Sequence, residues 1–462
     1  MKIKNRDQLL SQGDLESREV VLGILEDSLQ QLDSYRILRK MLHLEGSVLR
    51  IGDHRWDLQK RRRVFVVGAG KACNAMARAV EDTIGERIFG GHVIVKGLED
   101  SDNLGRIELT EGGHPFPNED GLKATLRMLR IVEEAGPGDL FIGLISGGSS
   151  ALMNCPVAGI TMEEEREATE ALLKSGARIL EINAVRRHIS ATNGGRLAQK
   201  IEARGAEMIN LIVSDSVGKR PTADRTRPET FYGTPVAPDG TTLEDARKVL
   251  ERYGLSSRIP RSIVEYLRLD SRDRETPKSF SDSIRHYIIA RPADACEAAK
   301  QAAEKRGLAG FVLTTLLEGE SREAGTFLAA VAKEIALNHR PIAPPCVLIA
   351  GGETTSKIDG EGGLGGPSQE LALSFSLEVA GQKRFCIGAV DTDGTDGPTE
   401  IAGGVGDGTS VERAGEKGLN IHESLRFHDS STLLKTLGDE IVTGNTGTNV
   451  CDLNAIYIGG GM

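Results

Sequence analysis

The sequence predicts a two-domain α/β protein in which each domain carries a largely parallel sheet flanked by helices, in the Rossmann-like manner. Three observations predict it. The chain has 462 residues, more than a single hydrophobic core usually supports. Short, almost wholly apolar runs alternate with amphipathic helical stretches, the pattern of parallel strands covered on both faces. A polar stretch from Leu269 to Ser283 separates two such series. The expected division is therefore a domain over 1–268, a linker over 269–283 and a second domain over 284–462.

Taken in order, the stretch from Arg18 to Leu44 repeats apolar residues at helical spacing (Val20, Val21, Ile24, Leu25, Leu29, Leu32) and predicts one N-terminal helix. Val64 to Val67 is the first strand. It runs into Gly68-Ala-Gly70-Lys71, after which Ala72 to Ile84 reads as a helix. His92 to Val95 and Gly138 to Ile145 are further strands, the second ending in Ser146-Gly147-Gly148-Ser149-Ser150. Glu163 to Ile182 reads as one long helix, and Ile209 to Val213 as a strand ending in Ser214-Asp215. Pro221 to Thr242 is rich in Pro, Gly and Thr and reads as a loop. Beyond the linker, His286–Ile289, Phe311–Thr314, Val347–Ile349 and Phe385–Val390 are strand candidates, with a helix from Ala293 to Gly307. The last two strands lead into Gly351-Gly352-Glu353-Thr354-Thr355 and Asp391-Thr-Asp393-Gly-Thr-Asp396-Gly397.

Composition narrows the function classes. A formal charge of -10 and the lack of a basic stripe argue against a nucleic-acid partner. The basic run Gln59 to Arg63 leads straight into an apolar strand and reads as its charged entry. The six cysteines are scattered without a CxxC pair, which excludes a disulfide framework and a zinc cluster and predicts reduced thiols. The N-terminal stretch is charged and lacks an apolar signal core. No apolar run approaches the ~18 residues of a membrane span. A cytoplasmic location with no membrane partner is the resulting expectation.

Open α/β sheets bind ligands beyond the carboxyl ends of their strands, where helix N-termini offer free N–H groups. Four glycine-rich segments are expected at such places. Gly68-x-Gly70-Lys71 is not a Walker A loop, since the GxxxxGK[ST] spacing is absent and Ala72 stands where a metal-binding hydroxyl would be. Nor is it a dinucleotide fingerprint: Cys73 occupies the third glycine's place, and no acidic residue closes a strand about 20 residues on. A purely structural turn is the alternative. Against it stands Lys71, an ammonium placed to neutralise a transferred phosphoryl group. The Ser146–Ser150 turn does not match the GxSxG nucleophile pattern and reads as an anion-binding nest. The run from Asn183 through Arg186, Arg187 and His188 to Arg196 is either a solvated helix face or a set of anion contacts. Asp215, just after an apolar strand, is a candidate for metal or hydroxyl contact. Glu353, Asp391, Asp393 and Asp396 could hold Mg²⁺ or orient a hydroxyl, or could simply form turns. The small, donor-rich segment from Thr443 to Asn449 suits close approach of backbone to a ligand.

In order, the runs VVGAGKA, GGHPFP, LISGGSSALM, SGARILEINAVRRHIS, GGRLA, LIVSDSVG, LEGESRE, GGETT, QELAL, DTDGTDGPTEIAGG and TGNTGTNVCDL resemble the glycerate 2-kinase family, whose C-terminal module is called MOFRL. They span nearly the whole chain. The resemblance implies ATP-dependent phosphorylation of D-glycerate at its 2-hydroxyl, with Mg²⁺, in a cleft between the domains. It implies Lys71 on the γ-phosphate and Asp215 on the attacking hydroxyl as the catalytic pair. Gly68, Gly70, Ser146, Gly147, Gly148, Ser149, Ser150, Gly351, Gly352 and Thr354 are then the nucleotide and phosphate contacts. Arg186, Arg196, Glu353 and Asn449 fall to the substrate, and Asp393 and Asp396 to the metal. A homodimer is compatible with this reading. Members of the family have also been labelled hydroxypyruvate reductases, an activity that the missing nicotinamide fingerprint disfavours.

The chain departs from the family pattern where charge matters. Pro367 stands where GGRNQE carries its arginine, and Asn193 where a lysine precedes GGRLA. Proline replaces neither the charge nor the donor fork of arginine. Lys219, Arg220, Arg225 and Arg227 are new cations nearby in sequence. The alternatives are a kinase for another sugar acid and a paralogue that binds without turnover.

Overall fold

The structure is a computed structural model that describes residues 1–217, 235–269, 271–358, 360 and 362–460. The strands, in chain order, are β1 (His43–Glu45), β2 (Val48–Ile51), β3 (His54–Asp57), β4 (Val64–Ala69), β5 (Gly90–Val95), β6 (Ile107–Glu111), β7 (Leu140–Ile145) and β8 (Glu207–Val213). There follow β9 (Ile284–Ala290), β10 (Ala309–Glu320), β11 (Cys346–Thr355), β12 (Phe385–Asp391), β13 (Gly403–Asp407), β14 (Glu440–Ile441) and β15 (Asp452–Ile458). They form two six-stranded sheets and the small antiparallel meander β1-β2-β3.

Two compact units result. One takes Leu38–Val213 and the chain up to Ile289; the other takes Met1–Ile37, a short segment starting at Ser214, and the chain from Ala290 onward. The N-terminal helix thus packs with residues more than 360 positions away, and the stretch over 269–283 folds onto the first unit, where Ser281 donates to Glu202 and Thr276 to Asp239. β9 is the edge strand of the first sheet.

The first sheet has the order β6-β5-β4-β7-β8-β9, with β4, β5, β6, β7 and β8 parallel. Counted by appearance this is 3-2-1-4-5-6, the doubly wound order with its switch point between β4 and β7. β4 and β7 are buried along their whole length, which is why they read as unbroken apolar runs. The helices Glu119–Glu133 and Arg196–Ala203 contribute Met128, Val132, Leu197 and Ile201 to the core on one face. A separate helical layer, Met162–Lys174, Ile179–His188, Leu243–Arg252 and Arg261–Arg268, has its own core around Leu172, Val185 and Leu250. The expected long helix over 163–182 is two helices, because Gly176 is left-handed at φ 76° and ends the first.

The second sheet has the order β10-β11-β15-β12-β13-β14 and is mixed rather than largely parallel. Only β10 and β11 pair in parallel; β11–β15, β15–β12, β12–β13 and β13–β14 are antiparallel. β12 and β13 are joined without a helix, and a parallel crossover needs a dozen or more residues. The GGETT segment also differs from expectation: β11 pairs with β15 as far as Gly352 and with β10 through Thr355, so these residues are strand rather than turn. A Cβ on Gly352 would lie 2.1 Å from Leu317 O, so glycine is what lets β10 and β11 close up there. The helices Ser321–Asn338 and Pro367–Glu378 cover one face through Leu328, Ile335, Leu371 and Phe375. The helix Leu15–Leu32, buried through Val21, Leu22, Leu25 and Leu29, packs on the unit's own strands. At Gly388 of β12 a Cβ would come within 2.6 Å of both Val21 and Leu25, so the helix sits directly on a bare strand. Among the described residues no helix is long and apolar enough to cross a membrane.

Candidate active site

The Lys71 and Ser146 turns meet at the switch point of the first sheet, as neighbours on adjacent parallel strands. Lys71 N donates to Gly147 O at 3.0 Å, Ser146 N to Ala69 O at 3.3 Å, and Ala72 N to Ser146 Oγ at 2.9 Å. The Ser146 hydroxyl oxygen therefore ties one turn to the other. A Cβ on Gly70 would lie 2.0 Å from that oxygen, and one on Gly68 would lie 1.9 Å from Leu144 O, so both glycines are required by the approach of the two strands. Gly148 is left-handed at φ 84°, a conformation that favours glycine. Ser149 is buried and Ser150 half-buried. Lys71 stands half-buried just before the helix Cys73–Ile84. The Cys73 thiol, driven up to about 12 by burial, is a packed group rather than a nucleophile.

Arg196 and Arg187 share the neighbourhood of Asp239 in the same unit, whereas the charge of Arg186 acts on Glu165. Arg196 opens its helix after two left-handed glycines, Gly194 and Gly195. Its Nη2 donates to Arg274 O at 2.6 Å, its Nε is buried without a partner, and burial pulls its pKa below the ordinary value. Arg186 Nε is likewise buried without a partner. Beside it, burial pushes the Glu165 carboxyl up, against the Asn154 amide at 2.9 Å and the Arg186 charge. Asn193, which replaces the family's lysine, keeps a buried, unpartnered Oδ1. Unpaired buried donors and acceptors are costly unless a ligand or water meets them. Arg187, which the sequence reading did not favour, forms a buried ion pair with Asp239 at 2.9 Å.

In the other unit a second group of candidates gathers around Cys451, which sequence reasoning passed over. Cys451 is a buried, left-handed residue at φ 63°, a conformation that costs energy outside glycine. Its Sγ donates to Asp215 O at 2.9 Å and lies 4.0 Å from Glu353 Oε2. Burial raises the thiol pKa, and the carboxylates of Asp215, Glu353, Asp452 and Asp391 raise it further. Asp452 holds Thr354, accepting from its N at 3.0 Å. Burial keeps the Asp452 carboxyl well above the usual carboxylate range, and the charges of Asp396 and Glu353 push the same way. Glu353 is exposed, and Asn449 is buried with an unpartnered Nδ2. A Cβ on Gly351 would lie 2.5 Å from Cys296 Sγ, so packing explains that glycine. Nothing marked Asp452 in the sequence, since it begins an apolar strand as an ordinary polar flank.

Asp393 and Asp396 are bound up in the turn and helix that follow it. Asp393 Oδ1 accepts from Thr395 N and Thr395 Oγ1, both at 2.7 Å, the Asx turn that was the plain alternative. Asp396 caps the helix Pro367–Glu378 from outside: Oδ1 accepts from Ser368 N at 3.1 Å and Oδ2 from Gln369 N at 2.9 Å and Gln369 Nε2 at 3.1 Å. Burial pushes its carboxyl up to about 7 despite those bonds. Mg²⁺ needs open carboxylate oxygens. Asp396 commits both of its oxygens to the start of that helix, and among the described residues no group of three or more His, Cys, Asp or Glu side chains could hold a metal ion without help from a ligand. Pro367 opens this helix at its first position, where a missing N–H is harmless, so the substitution removes a cation without harming the fold. Lys219, Arg220, Arg225 and Arg227 lie outside the described residues.

Comparison with known proteins agrees across the chain. Residues 20–268 match the family model described as a domain of unknown function, DUF4147, and residues 346–452 match the MOFRL family. A glycerate 2-kinase of Pyrococcus horikoshii is 38% identical over 449 residues, covering 96% of this chain and 97% of that protein. A relative from Agrobacterium vitis, named provisionally as a hydroxypyruvate reductase, is 39% identical over 86% of this chain and 88% of its own length. The crystal structure of a glycerate kinase from Thermotoga maritima superposes with a TM-score of 0.78 at 35% identity, covering 95% of this chain and 99% of that one. With that identity, coverage and fold, and with Lys71 between two interlocked glycine turns, the chain belongs to the MOFRL-type glycerate kinase family.

Proposed function

We propose that the protein transfers the γ-phosphoryl group of ATP to a hydroxyl of a small hydroxy acid, D-glycerate to 2-phosphoglycerate being the first candidate. The observation that carries this reading is Lys71 at the topological switch point of a sheet in the doubly wound order, in a chain of this family. The acceptor oxygen attacks phosphorus, the bond to the β-phosphate breaks with its electron pair going to ADP, and the hydroxyl proton is lost to a base. Lys71 supplies positive charge to the transferred group, and Asp215 remains the proposed carboxylate that orients the hydroxyl. Arg186, Arg196, Asn193 and Asn449 offer buried, unpaired polar atoms suited to a polyhydroxy acid. Glu353 is kept as a substrate contact, and Gly147, Gly148, Ser149 and Ser150 as the phosphate turn. ATP is the proposed co-substrate.

The test is a panel of hydroxy acids with ATP and Mg²⁺, read by ADP release and by separating 2-phospho from 3-phospho products. ADP at background with every acid ends the kinase reading. Hydroxypyruvate reduction is named for two Agrobacterium vitis relatives, but two observations stand against it here. β5 ends at Val95 and is followed by Lys96 instead of a ribose-binding acid, and Cys73 fills the third glycine position. NAD(P)H oxidation with hydroxypyruvate would reverse that judgement.

A further inference from the structure

We propose that His114 is a further ligand-contacting residue of the Lys71 turn, donating an imidazole N–H to an anionic oxygen held there. The proposal rests on the kinase reading. It comes from the surroundings of Gly148, where three separate segments converge. A Cβ placed on Gly148 would stand 2.9 Å from His114 Cδ2, 3.1 Å from His114 Nε2 and 3.2 Å from Lys71 Cγ. The Nε2 edge of the imidazole and the stem of the lysine therefore lie over one backbone atom of the phosphate turn.

Local sequence does not bring this about. His114 follows β6, which is at the sheet edge and separated from β7 by β5 and β4. Its loop is carried to the switch point by bare backbone. A Cβ on Gly112 would lie 2.9 Å from Ile94 Cγ2 and 3.1 Å from Leu152 O, and one on Gly121 would lie 2.8 Å from the same Leu152 O. Two glycines flanking His114 thus let the loop lie against the segment that ends the Ser146 turn. Asn118 holds the loop from within, its Oδ1 accepting from Gly113 N and Gly121 N, both at 2.9 Å. The side chain so delivered is half-buried, with its Nε2 edge at Gly148.

An imidazole N–H beside a lysine stem and a glycine turn suits an anionic oxygen. Two sources share that chemistry, the transferred phosphoryl group and the carboxylate of the acid. In either case the imidazole only donates a hydrogen bond. The phosphorus–oxygen exchange and the loss of the hydroxyl proton proceed as written above.

The experiment compares His114→Ala, His114→Gln and Lys71→Ala in steady-state turnover, with ATP and D-glycerate varied separately and thermal unfolding as a control. Loss of one hydrogen bond to a charged oxygen predicts a fall in kcat/KM of about 10- to 100-fold in His114→Ala, with the unfolding temperature kept. His114→Gln, whose amide can replace the N–H, recovers part of it. A fall in kcat or a rise in KM for ATP assigns the oxygen to the phosphoryl group, and a rise in KM for D-glycerate assigns it to the carboxylate. Wild-type values of all three in His114→Ala overturn the proposal. Should that variant not fold, His114→Phe fills the space without a donor, and wild-type turnover in it is equally decisive. A silent His114→Ala beside an inactive Lys71→Ala defeats the proposal alone; two silent variants defeat the Lys71 reading with it.

Discussion

Replacing Arg18 with methionine tests how the N-terminal helix is anchored to its unit. The Arg18 guanidinium is fully buried and pairs with Asp407 at 2.5 Å and Asp439 at 2.7 Å, both of which are themselves sealed from solvent. It also donates to Leu9 O at 3.2 Å. Methionine keeps most of the stem's volume and removes the charge, leaving two carboxylates to be accounted for. Asp439 retains Arg413. Among the described residues Asp407 retains neutral donors alone, Thr409 N at 2.8 Å, Thr409 Oγ1 at 2.6 Å and Asp14 N at 3.2 Å. Breaking one side of a buried ion pair costs about 3–5 kcal/mol, and the surviving partners place this case near the lower end. At ~3 kcal/mol the unfolding temperature of a unit of this size falls by roughly 6–12 °C. Urea unfolding followed by circular dichroism measures it. The sign with pH follows from Asp407, which Arg18 holds below the usual carboxylate range against the push of burial. Its contribution is present above the unfolded value of ~3.9 and is lost as pH falls through the lower folded value. The gap between wild type and Arg18→Met should therefore narrow in acid. A variant within about 1 kcal/mol of wild type at pH 7, or a gap that widens in acid, refutes the reasoning.

Lys71→Ala should lower kcat by at least ~100-fold with the fold intact, as expected for removing a transition-state charge contact; circular dichroism and ADP release check the two halves. Asp396→Asn should flatten the pH dependence of stability. The folded carboxyl at about 7 lies above its unfolded ~3.9, so its contribution is full below the latter and lost as pH rises through the former. Wild type should lose stability from pH 4 to 8 relative to the variant, and parallel unfolding curves would contradict the assignment. Pro367→Arg restores the family's cation at a helix start that tolerates either residue. It should change KM for the acid or for ATP by about tenfold, the scale of one charged contact, and unchanged constants would remove position 367 from the site.

The first sheet was legible because its strands are buried on both faces and declare themselves as apolar runs. Its edge, β9, was assigned to the wrong sheet, since a strand's own residues do not say which neighbours it pairs with. β13 was missed outright. Its sequence GGVGD reads as loop, yet a Cβ on Gly406 would lie 2.5 Å from Ala372 O and one on Gly403 1.9 Å from Ala389 O. The glycines there serve close packing of a helix and a strand. In the same way GGETT reads as a turn, yet its Gly351 serves packing against Cys296 and its Gly352 admits the neighbouring strand. Lys71 and the Ser146 turn were found because both follow apolar strands directly. His114, Cys451 and Asp452 were not singled out, since what marks them is the company they keep across the fold: a lysine stem, a backbone carbonyl and a buried threonine.

The helix Leu15–Leu32 and β15 belong to the same unit, one near the start of the sequence and the other after every strand it joins. β15 lies in the middle of its sheet, between β11 and β12. During synthesis the helix must therefore wait, with Val21, Leu22, Leu25 and Leu29 uncovered, while the unit around Lys71 emerges and completes its own core. Only when β15 arrives can the remaining strands and the waiting helix close together. Contacts so distant along the chain slow folding and leave apolar surface open to aggregation. In a cell this half of the molecule is the one that would occupy chaperones.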